Sequence, residues 1–143
     1  MDLDMKAWLR GLGEAKRKKA LPILSFPAVQ LMGITVRELI SDSGRQAEGM
    51  ARIAQRVDAA AAVSLMDLSV EAECFGSQIV VSEDEVPTVT GSILSDPSQV
   101  EALAIPPVGA GRTCIYLEAV RKAVERIQDR PVFAGMISPY SLA

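Results

Sequence analysis

The sequence predicts an α/β fold with about three parallel strands, helices between them and an inserted β-hairpin. Three short apolar runs, at residues 21–26, 60–66 and 132–137, lack the polar alternation of a half-exposed strand. Continuous apolar runs of this kind are typical of strands that are buried on both faces. A strand, a helix and a second strand fit within about 40 residues, which indicates a βαβ unit with a right-handed crossover.

The helices of the first half have clear signals. Apolar residues recur at helical spacing over residues 4–12, which predicts a short first helix. Residues 35–38, with the sequence T-V-R-E, form a capping box, in which the Thr hydroxyl and the Glu carboxylate each accept a backbone amide. An apolar stripe continues from there to about Arg56, and residues 41–44 predict a kink or a break within this long helix.

The second half alternates short elements with turns. Residues 67–75 predict a short helix that Gly76 closes. Two β-rich stretches, 78–82 and 86–90, flank three acidic residues and predict a hairpin inserted after the second strand. Residues 96–111 predict a loop with one helical turn.

A longer helix is predicted over residues 114–128, before the third strand. Its predicted core stripe consists of Leu117, Val120, Val124 and Ile127. Residues 138–143 have the composition of another helix start, with Ser as the cap and Pro as the first helical residue.

Three parallel strands leave open edges and too few covering helices. Because a (β/α)8 barrel needs about 250 residues, we infer that residues 1–143 are a piece of a longer polypeptide. The rest of that polypeptide is then its first partner. The alternative is a small, non-enzymatic α/β module that is complete in itself.

Composition restricts the chemistry. The chain is 49% hydrophobic and 23% charged, with a net charge of −3, so neither nucleic acid nor a membrane is an expected partner. It contains no histidine, which excludes a His general base, a His metal ligand and a Ser-His-Asp triad within it. Two cysteines, Cys74 and Cys114, make no disulfide framework and have no metal-binding spacing, so we expect a cytoplasmic, soluble protein.

Candidate site residues follow the three strands, because active sites of parallel α/β folds lie beyond the C-terminal strand ends. Asp67 follows the second strand and is the predicted catalytic residue. Gln30 and Met32 in the loop after the first strand, and Tyr140 after the third, are predicted substrate-binding residues.

Each of these assignments has a plainer structural alternative. Asp67 also fits the N-cap of the helix that follows it, which the residues alone favour, and the two roles are compatible. Glu71 and Glu73 point to different sides of that helix, so at most one of them faces a pocket. The glycines form no phosphate-binding loop.

Residues 65–76, LMDLSVEAECFG, resemble the stretch after the second strand in the uroporphyrinogen decarboxylase superfamily. The V-E-A-E-x-x-G pattern at 70–76 is similar to the corrinoid methyltransferases of that superfamily. The hairpin with S-E-D-E-V-P at 82–87 and the long helix over 34–57 also resemble the family, so the similarity runs from about residue 19 to residue 143.

The resemblance implies that residues 1–143 are the N-terminal portion of one (β/α)8 (TIM) barrel domain, with its site in the barrel mouth. The missing C-terminal half of the barrel would then be a partner. Asp67 would occupy the position of the decarboxylase's essential Asp, which contacts the pyrrole nitrogens of a tetrapyrrole. True decarboxylases carry an Arg-rich loop after the first strand, yet residues 26–35 contain no Arg or Lys. A polycarboxylate would therefore lack its bidentate partners.

This departure favours methyl transfer from a methylated corrinoid protein to a thiol such as coenzyme M, with uroporphyrinogen decarboxylase of tetrapyrrole biosynthesis as the alternative. The methyltransferases hold the thiol on zinc through His and Cys ligands of their C-terminal half. We therefore expect zinc in the full-length parent, no metal ligand or cofactor site within this chain, and no activity from the chain alone.

Overall fold

The computed structural model describes residues 4–142. In the first part of the chain the elements are α1 (Met5–Glu14), α2 (Ala28–Met32), α3 (Val36–Ser41), α4 (Ser43–Arg56) and β1 (Ala62–Val63). They are followed by α5 (Val70–Cys74), β2 (Gln78–Val80), β3 (Thr88–Thr90), α6 (Ser98–Glu101), α7 (Thr113–Arg126), β4 (Val132–Phe133) and α8 (Pro139–Leu142). Within residues 4–142, every helix is too short or too polar to cross a membrane.

The central strands are β1 and β4, which pair in parallel with Ala62 opposite Val132 and Val63 opposite Phe133. Both strands are shorter than the predicted runs 60–66 and 132–137. Because the two strands run parallel, the segment between them, from α5 to α7, brings the chain back to the end of the pair at which β1 begins.

The predicted first strand, at residues 21–26, is wrong, because this segment has no regular structure. It lies beside β1 through two contacts: the Ala60 amide donates to the Ala20 carbonyl at 2.8 Å, and the Met66 amide donates to Ser25 Oγ at 3.2 Å. Pro22 lacks an amide hydrogen and interrupts any regular ladder here. The apolar side chains of residues 21–26 predicted a buried strand, but Ile23 is 60% exposed.

The β2 and β3 strands pair antiparallel, with Ile79 opposite Val89. The turn between them is held by Arg37 at the start of α3. Its guanidinium donates to the Val81 carbonyl at 3.0 Å and forms an ion pair with Glu83 at 2.6 Å. The two-stranded sheet is therefore attached to the helical layer at one end.

The helix start and break that the sequence predicts are present. Thr35 Oγ1 accepts the Glu38 amide at 3.1 Å, and the Glu38 carboxylate accepts the Thr35 amide at 2.9 Å, which completes the capping box. The helical stripe breaks at Asp42, which is extended and caps α4 by accepting the Arg45 amide at 2.7 Å.

The core between α4, α7 and β1 is built largely from small side chains. Its buried members are Ala47, Met50, Ala54, Ala62, Ala123 and Ile127. The predicted core stripe of α7 is confirmed at Ile127, and Val120 is half-buried. It is wrong at Leu117 and Val124, which are each at least half exposed, while Ala119 and Ala123 are buried. Small residues face α4 because they allow the two helix backbones to approach closely, and the bulkier residues lie on the adjacent face.

A second core cluster joins α2 and α3 to the segment that follows β1. Its buried members are Ala28, Val36, Leu39, Ile40 and Leu65. Gly49 of α4 lies against it, and a Cβ atom at this position would approach the Ala28 Cβ to 2.7 Å. The absence of a side chain at Gly49 thus sets how closely α2 and α4 pack.

Candidate functional site

Asp67 lies just beyond the C-terminal end of β1, and its side chain is completely buried. One carboxylate oxygen, Oδ1, accepts the Ser69 amide at 3.0 Å and the Ser69 hydroxyl at 2.6 Å. This is an Asx turn that places Ser69 at the start of α5. The helix cap itself is Ser69 rather than Asp67, so the capping role predicted for Asp67 is replaced by a turn that precedes the helix.

The other carboxylate oxygen binds two side chains from a distant part of the sequence. Asp67 Oδ2 accepts from Arg112 Nη1 at 2.7 Å and from the Tyr116 hydroxyl at 2.7 Å. An ionised carboxylate has about four acceptor positions. Ser69, Arg112 and Tyr116 fill all of them, so the chain itself satisfies the carboxylate of Asp67.

Arg112 connects the loop before α7 to α5. Besides its bond to Asp67, it donates from Nε to Glu73 at 2.5 Å and from Nη2 to Ser69 Oγ at 3.0 Å. Its side chain is only 17% exposed. A guanidinium held between two carboxylates is well suited to this place because its planar donors reach both at once.

The charges of this cluster follow from its contacts. Burial acts to raise the pKa of Asp67, but the hydrogen bonds from Ser69, Tyr116 and Arg112 outweigh it and leave the pKa below its ordinary value. Burial and the adjacent Asp67 charge raise the pKa of Tyr116. Burial alone would lower the pKa of Arg112, yet its bonds to Asp67 and Glu73 raise it. At neutral pH Asp67 is therefore an anion, Arg112 a cation and Tyr116 a neutral donor.

A cleft of about 480 Å3 opens beside this cluster. Its walls come from the ends of β1 and β4, from α5 and α7, and from the loop at 105–109. Most of the residues that line the cleft are apolar. Among the described residues, the ionisable side chains of the lining are Asp67, Glu71, Cys74 and Tyr116. An apolar cleft with a few polar groups at the C-terminal ends of parallel strands is where ligands bind in such folds. We call this feature the strand-end cleft.

The other predicted site residues lie away from the strand-end cleft. Gln30 is exposed on α2, and Met32 packs against the second core cluster. Tyr140 is 95% exposed in α8. The geometry of residues 4–142 brings none of the three to Asp67. Their assignment as substrate-binding residues stays a prediction.

Sequence reasoning missed Arg112 and Tyr116. They are 45 and 49 residues from Asp67 along the chain. Arg112 lies in a Gly-rich loop with no motif, and Tyr116 precedes the predicted stripe of α7. The available signal was the spacing of Arg112 and Tyr116, which are four residues apart at a helix start. This spacing places both side chains on one face of the helix.

The described residues contain no group of three or more His, Cys, Asp or Glu side chains placed to hold a metal ion. Cys74 is half-buried, and its thiol donates to the Ala110 carbonyl at 3.0 Å. Cys114 is exposed.

Comparisons with known proteins agree with this architecture. The family model of uroporphyrinogen decarboxylase (URO-D) matches residues 22–143. Among solved structures, a methyltransferase from Methanosarcina mazei is similar, with a TM-score of 0.77 and 22% sequence identity. The alignment covers 96% of this chain and 43% of that chain, so the two share a fold over less than half of the methyltransferase. No curated protein sequence matches the chain.

Proposed function

Since the chain belongs to the uroporphyrinogen decarboxylase family, we propose that it is the N-terminal portion of a methyltransferase of that family. The enzyme would transfer a methyl group from a methylated corrinoid protein to a thiol acceptor. The state of Asp67 carries this proposal. The resemblance implies that in a decarboxylase the Asp at this position contacts the pyrrole nitrogens of the substrate, whereas here four internal donations from Ser69, Arg112 and Tyr116 fill the acceptor positions of Asp67.

The segment that contains α2 supports the same choice. Residues 26–35 contain no Arg or Lys, and Arg112, the cation closest to Asp67, is bound to Asp67, Glu73 and Ser69. Among residues 4–142, the lining of the strand-end cleft includes no Arg or Lys that could bind the carboxylates of a tetrapyrrole. Since multiple carboxylates bind tightly only where such donors are available, these residues favour a less anionic substrate.

In the proposed enzyme Asp67 is a positioning residue. It orients Arg112 and Tyr116, and through them it fixes the start of α7 against α5. That contact shapes one wall of the strand-end cleft, which would admit the methyl acceptor and exclude water from it. Cys74 also faces the cleft, with its thiol hydrogen bonded to the Ala110 carbonyl.

The family's methyltransferases hold their thiol on zinc, and the described residues do not fit such a site. We therefore place the zinc ligands outside this chain, and the reaction steps at the metal lie with them. A longer polypeptide, or a complex that contains the rest of the barrel, would then be the active species, and the 143-residue chain alone would be inactive.

The test uses the polypeptide or complex that contains this chain in the cell, purified through a tag on the chain without chelators. Two assays run side by side: loss of the methyl group from methylcobalamin in the presence of coenzyme M, and decarboxylation of uroporphyrinogen. We expect the first reaction, together with about one zinc per chain that is lost with activity on chelation. Decarboxylation without methyl transfer would replace this proposal by the decarboxylase alternative.

A further inference from the structure

The floor of the strand-end cleft is formed where the chain continues beyond the paired residues of β1 and β4. The Ser64 amide donates to the Phe133 carbonyl at 2.9 Å, and the Gly135 amide donates to Ser64 Oγ at 2.8 Å. These bonds hold residues 64–66 and 134–136 side by side, and all of them line the cleft. We call these two segments the cleft floor. Because the contacts within it join described residues, they do not depend on the elements that would border the open side of the cleft.

Gly135 leaves room on the cleft floor for the side chain of Met66. A Cβ atom at position 135 would overlap Met66 Sδ and would lie 3.3 Å from Met66 Cγ. The backbone at Gly135 does not have the positive φ that favours glycine. The glycine is therefore needed for space rather than for backbone conformation, since the missing side chain is what lets Met66 lie across the chain at Gly135.

Met66 separates the backbone of Gly135 from the cleft. It is half-buried, and its amide donates to Ser25 Oγ at 3.2 Å, which holds the backbone from which the side chain extends. A methionine side chain is unbranched and flexible, so it follows the contour of what packs against it. The side-chain oxygen of the floor, Ser64 Oγ, already accepts the Gly135 amide. The floor therefore meets a ligand through its shape rather than through hydrogen bonds.

We propose that Met66 and Gly135 form a specificity-determining pair of the strand-end cleft. Gly135 provides the space that the Met66 side chain occupies, and Met66 limits how deeply a ligand enters. The inference rests on the proposed function in taking this cleft as the site of the methyl acceptor. It deepens that function by assigning the acceptor to the short, unbranched alkanethiols, which the floor selects by the length of the alkyl chain and not by charge. Coenzyme M, a short anionic alkanethiol, meets this requirement.

The test uses the polypeptide or complex that contains this chain, labelled with 13C at the methionine methyl groups. The probes are 1-butanesulfonate, the all-carbon analogue of S-methylated coenzyme M, and 1-pentanesulfonate, which is longer by one methylene. Neither contains a thiol, so binding needs neither zinc nor a corrinoid. The methyl resonance of Met136, which also lines the cleft, reports binding. Because one methylene changes binding by about tenfold or more in a pocket that limits size, the shorter probe should bind at least about tenfold more tightly.

Two single variants and their combination test the pair. Met66→Ala should bring the two probes to within about threefold of each other, because the floor then lies deeper. Gly135→Ala should widen the preference for the shorter probe, because the new Cβ would displace the Met66 side chain into the cleft. The double variant should behave like Met66→Ala, since the Cβ at position 135 then meets no Sδ.

Met5→Ala and Gly11→Ala are the matched controls. Both residues lie in α1 and outside the lining of the cleft, and a Cβ atom at Gly11 would meet no neighbouring side chain within 4 Å. Each control should keep the preference of the original protein. The melting temperature of every variant checks that it is folded, and if Gly135→Ala does not fold, Met66→Ala alone decides.

The inference is overturned by no binding of either probe, by equal binding of both, by a length preference that persists in Met66→Ala, or by an effect of Gly135→Ala that persists in the double variant. Binding is measured without methyl transfer, so the two proposals fail separately. A Met66-dependent length preference without methyl transfer would reject the proposed function and leave the pair standing. Methyl transfer without a length preference would reject the pair alone.

Discussion

Replacing Asp67 by Asn tests how much the buried cluster contributes to stability. The substitution keeps the size of the side chain but turns one acceptor into an NH2 donor. In the original chain, four donations from Ser69, Arg112 and Tyr116 converge on the carboxylate. In the variant, the NH2 group of Asn would point at one or more of these donors and could accept no hydrogen bond from them. Arg112 would also lose its buried counter-charge, although it keeps Glu73.

The expected magnitude follows from this geometry. Breaking a buried ion pair by removing one partner costs about 3–5 kcal/mol. Because Arg112 retains its bond to Glu73 and is 17% exposed, the lower end applies, and we expect the free energy of unfolding to fall by about 3 kcal/mol at pH 7.

The effect should depend on pH in one direction. Contacts with Ser69, Tyr116 and Arg112 lower the pKa of Asp67 in the folded chain. Its stabilisation is therefore complete above the unfolded-state pKa of about 3.9 and is lost as the pH falls through the folded-state pKa. The difference between the original chain and Asp67→Asn should stay constant from about pH 7 to pH 5 and shrink below about pH 4.

Urea unfolding followed by far-UV circular dichroism measures both quantities, and Asp96→Asn is the matched control. Asp96 accepts the Ser98 amide at 2.8 Å and the Ser98 hydroxyl at 2.6 Å, the same Asx turn that Asp67 makes with Ser69, but it is exposed and has no Arg or Tyr partner. Equal losses in the two variants, within about 0.5 kcal/mol, would refute the claim that Arg112 and Tyr116 stabilise the fold through Asp67.

Other substitutions address single contacts. Tyr116→Phe should cost about 1.5 kcal/mol in urea unfolding, because it removes one hydrogen bond to the charged Asp67. Since the pKa of Tyr116 is raised, its phenol should stay protonated in the folded chain at about pH 11. The contribution of Tyr116 to folding stability is then fully present below the ordinary Tyr pKa and is lost as the pH rises towards the folded-state pKa. Ultraviolet difference spectra against the Phe variant measure this. Gly49→Ala should lower thermal stability by about 1–3 kcal/mol, because the new Cβ would lie 2.7 Å from that of Ala28; an unchanged melting temperature would contradict the close packing. Thr35→Ala should cost about 1 kcal/mol by calorimetry, and a loss below about 0.3 kcal/mol would mean that the capping box adds little.

Signals between near neighbours in the sequence were predictable. The capping box at Thr35 and the helix break at Asp42 both depend on hydrogen bonds that span three residues, so residue types at fixed spacing suffice to find them. The position of Asp67 after an apolar strand was also visible, because the C-terminal ends of parallel strands are identified by order along the chain.

Features that depend on distant partners were not predictable in this way. The run at residues 21–26 has strand composition, but a strand also needs a hydrogen-bonded neighbour, and Pro22 interrupts that ladder. The stripe of α7 was misplaced because Ala119 and Ala123 carry little hydrophobic signal, whereas their small size decides which face meets α4. The partners of Asp67 lie 45 and 49 residues away, beyond any local pattern.

The alanine-lined contact of α4 with α7 also determines which substitutions the chain can accept. At Ala47 and Ala123 the relative exposure is zero, and nearly every other amino acid is larger than the one present. We expect only small residues such as Gly, Ser and Cys to be tolerated at these two positions, so a saturation library should show tolerance governed by side-chain volume rather than by polarity. Substitutions that stabilise a protein by filling its core are therefore not available at this contact. Substitutions that the fold accepts would have to come from the larger, partly exposed residues on the neighbouring face of α7.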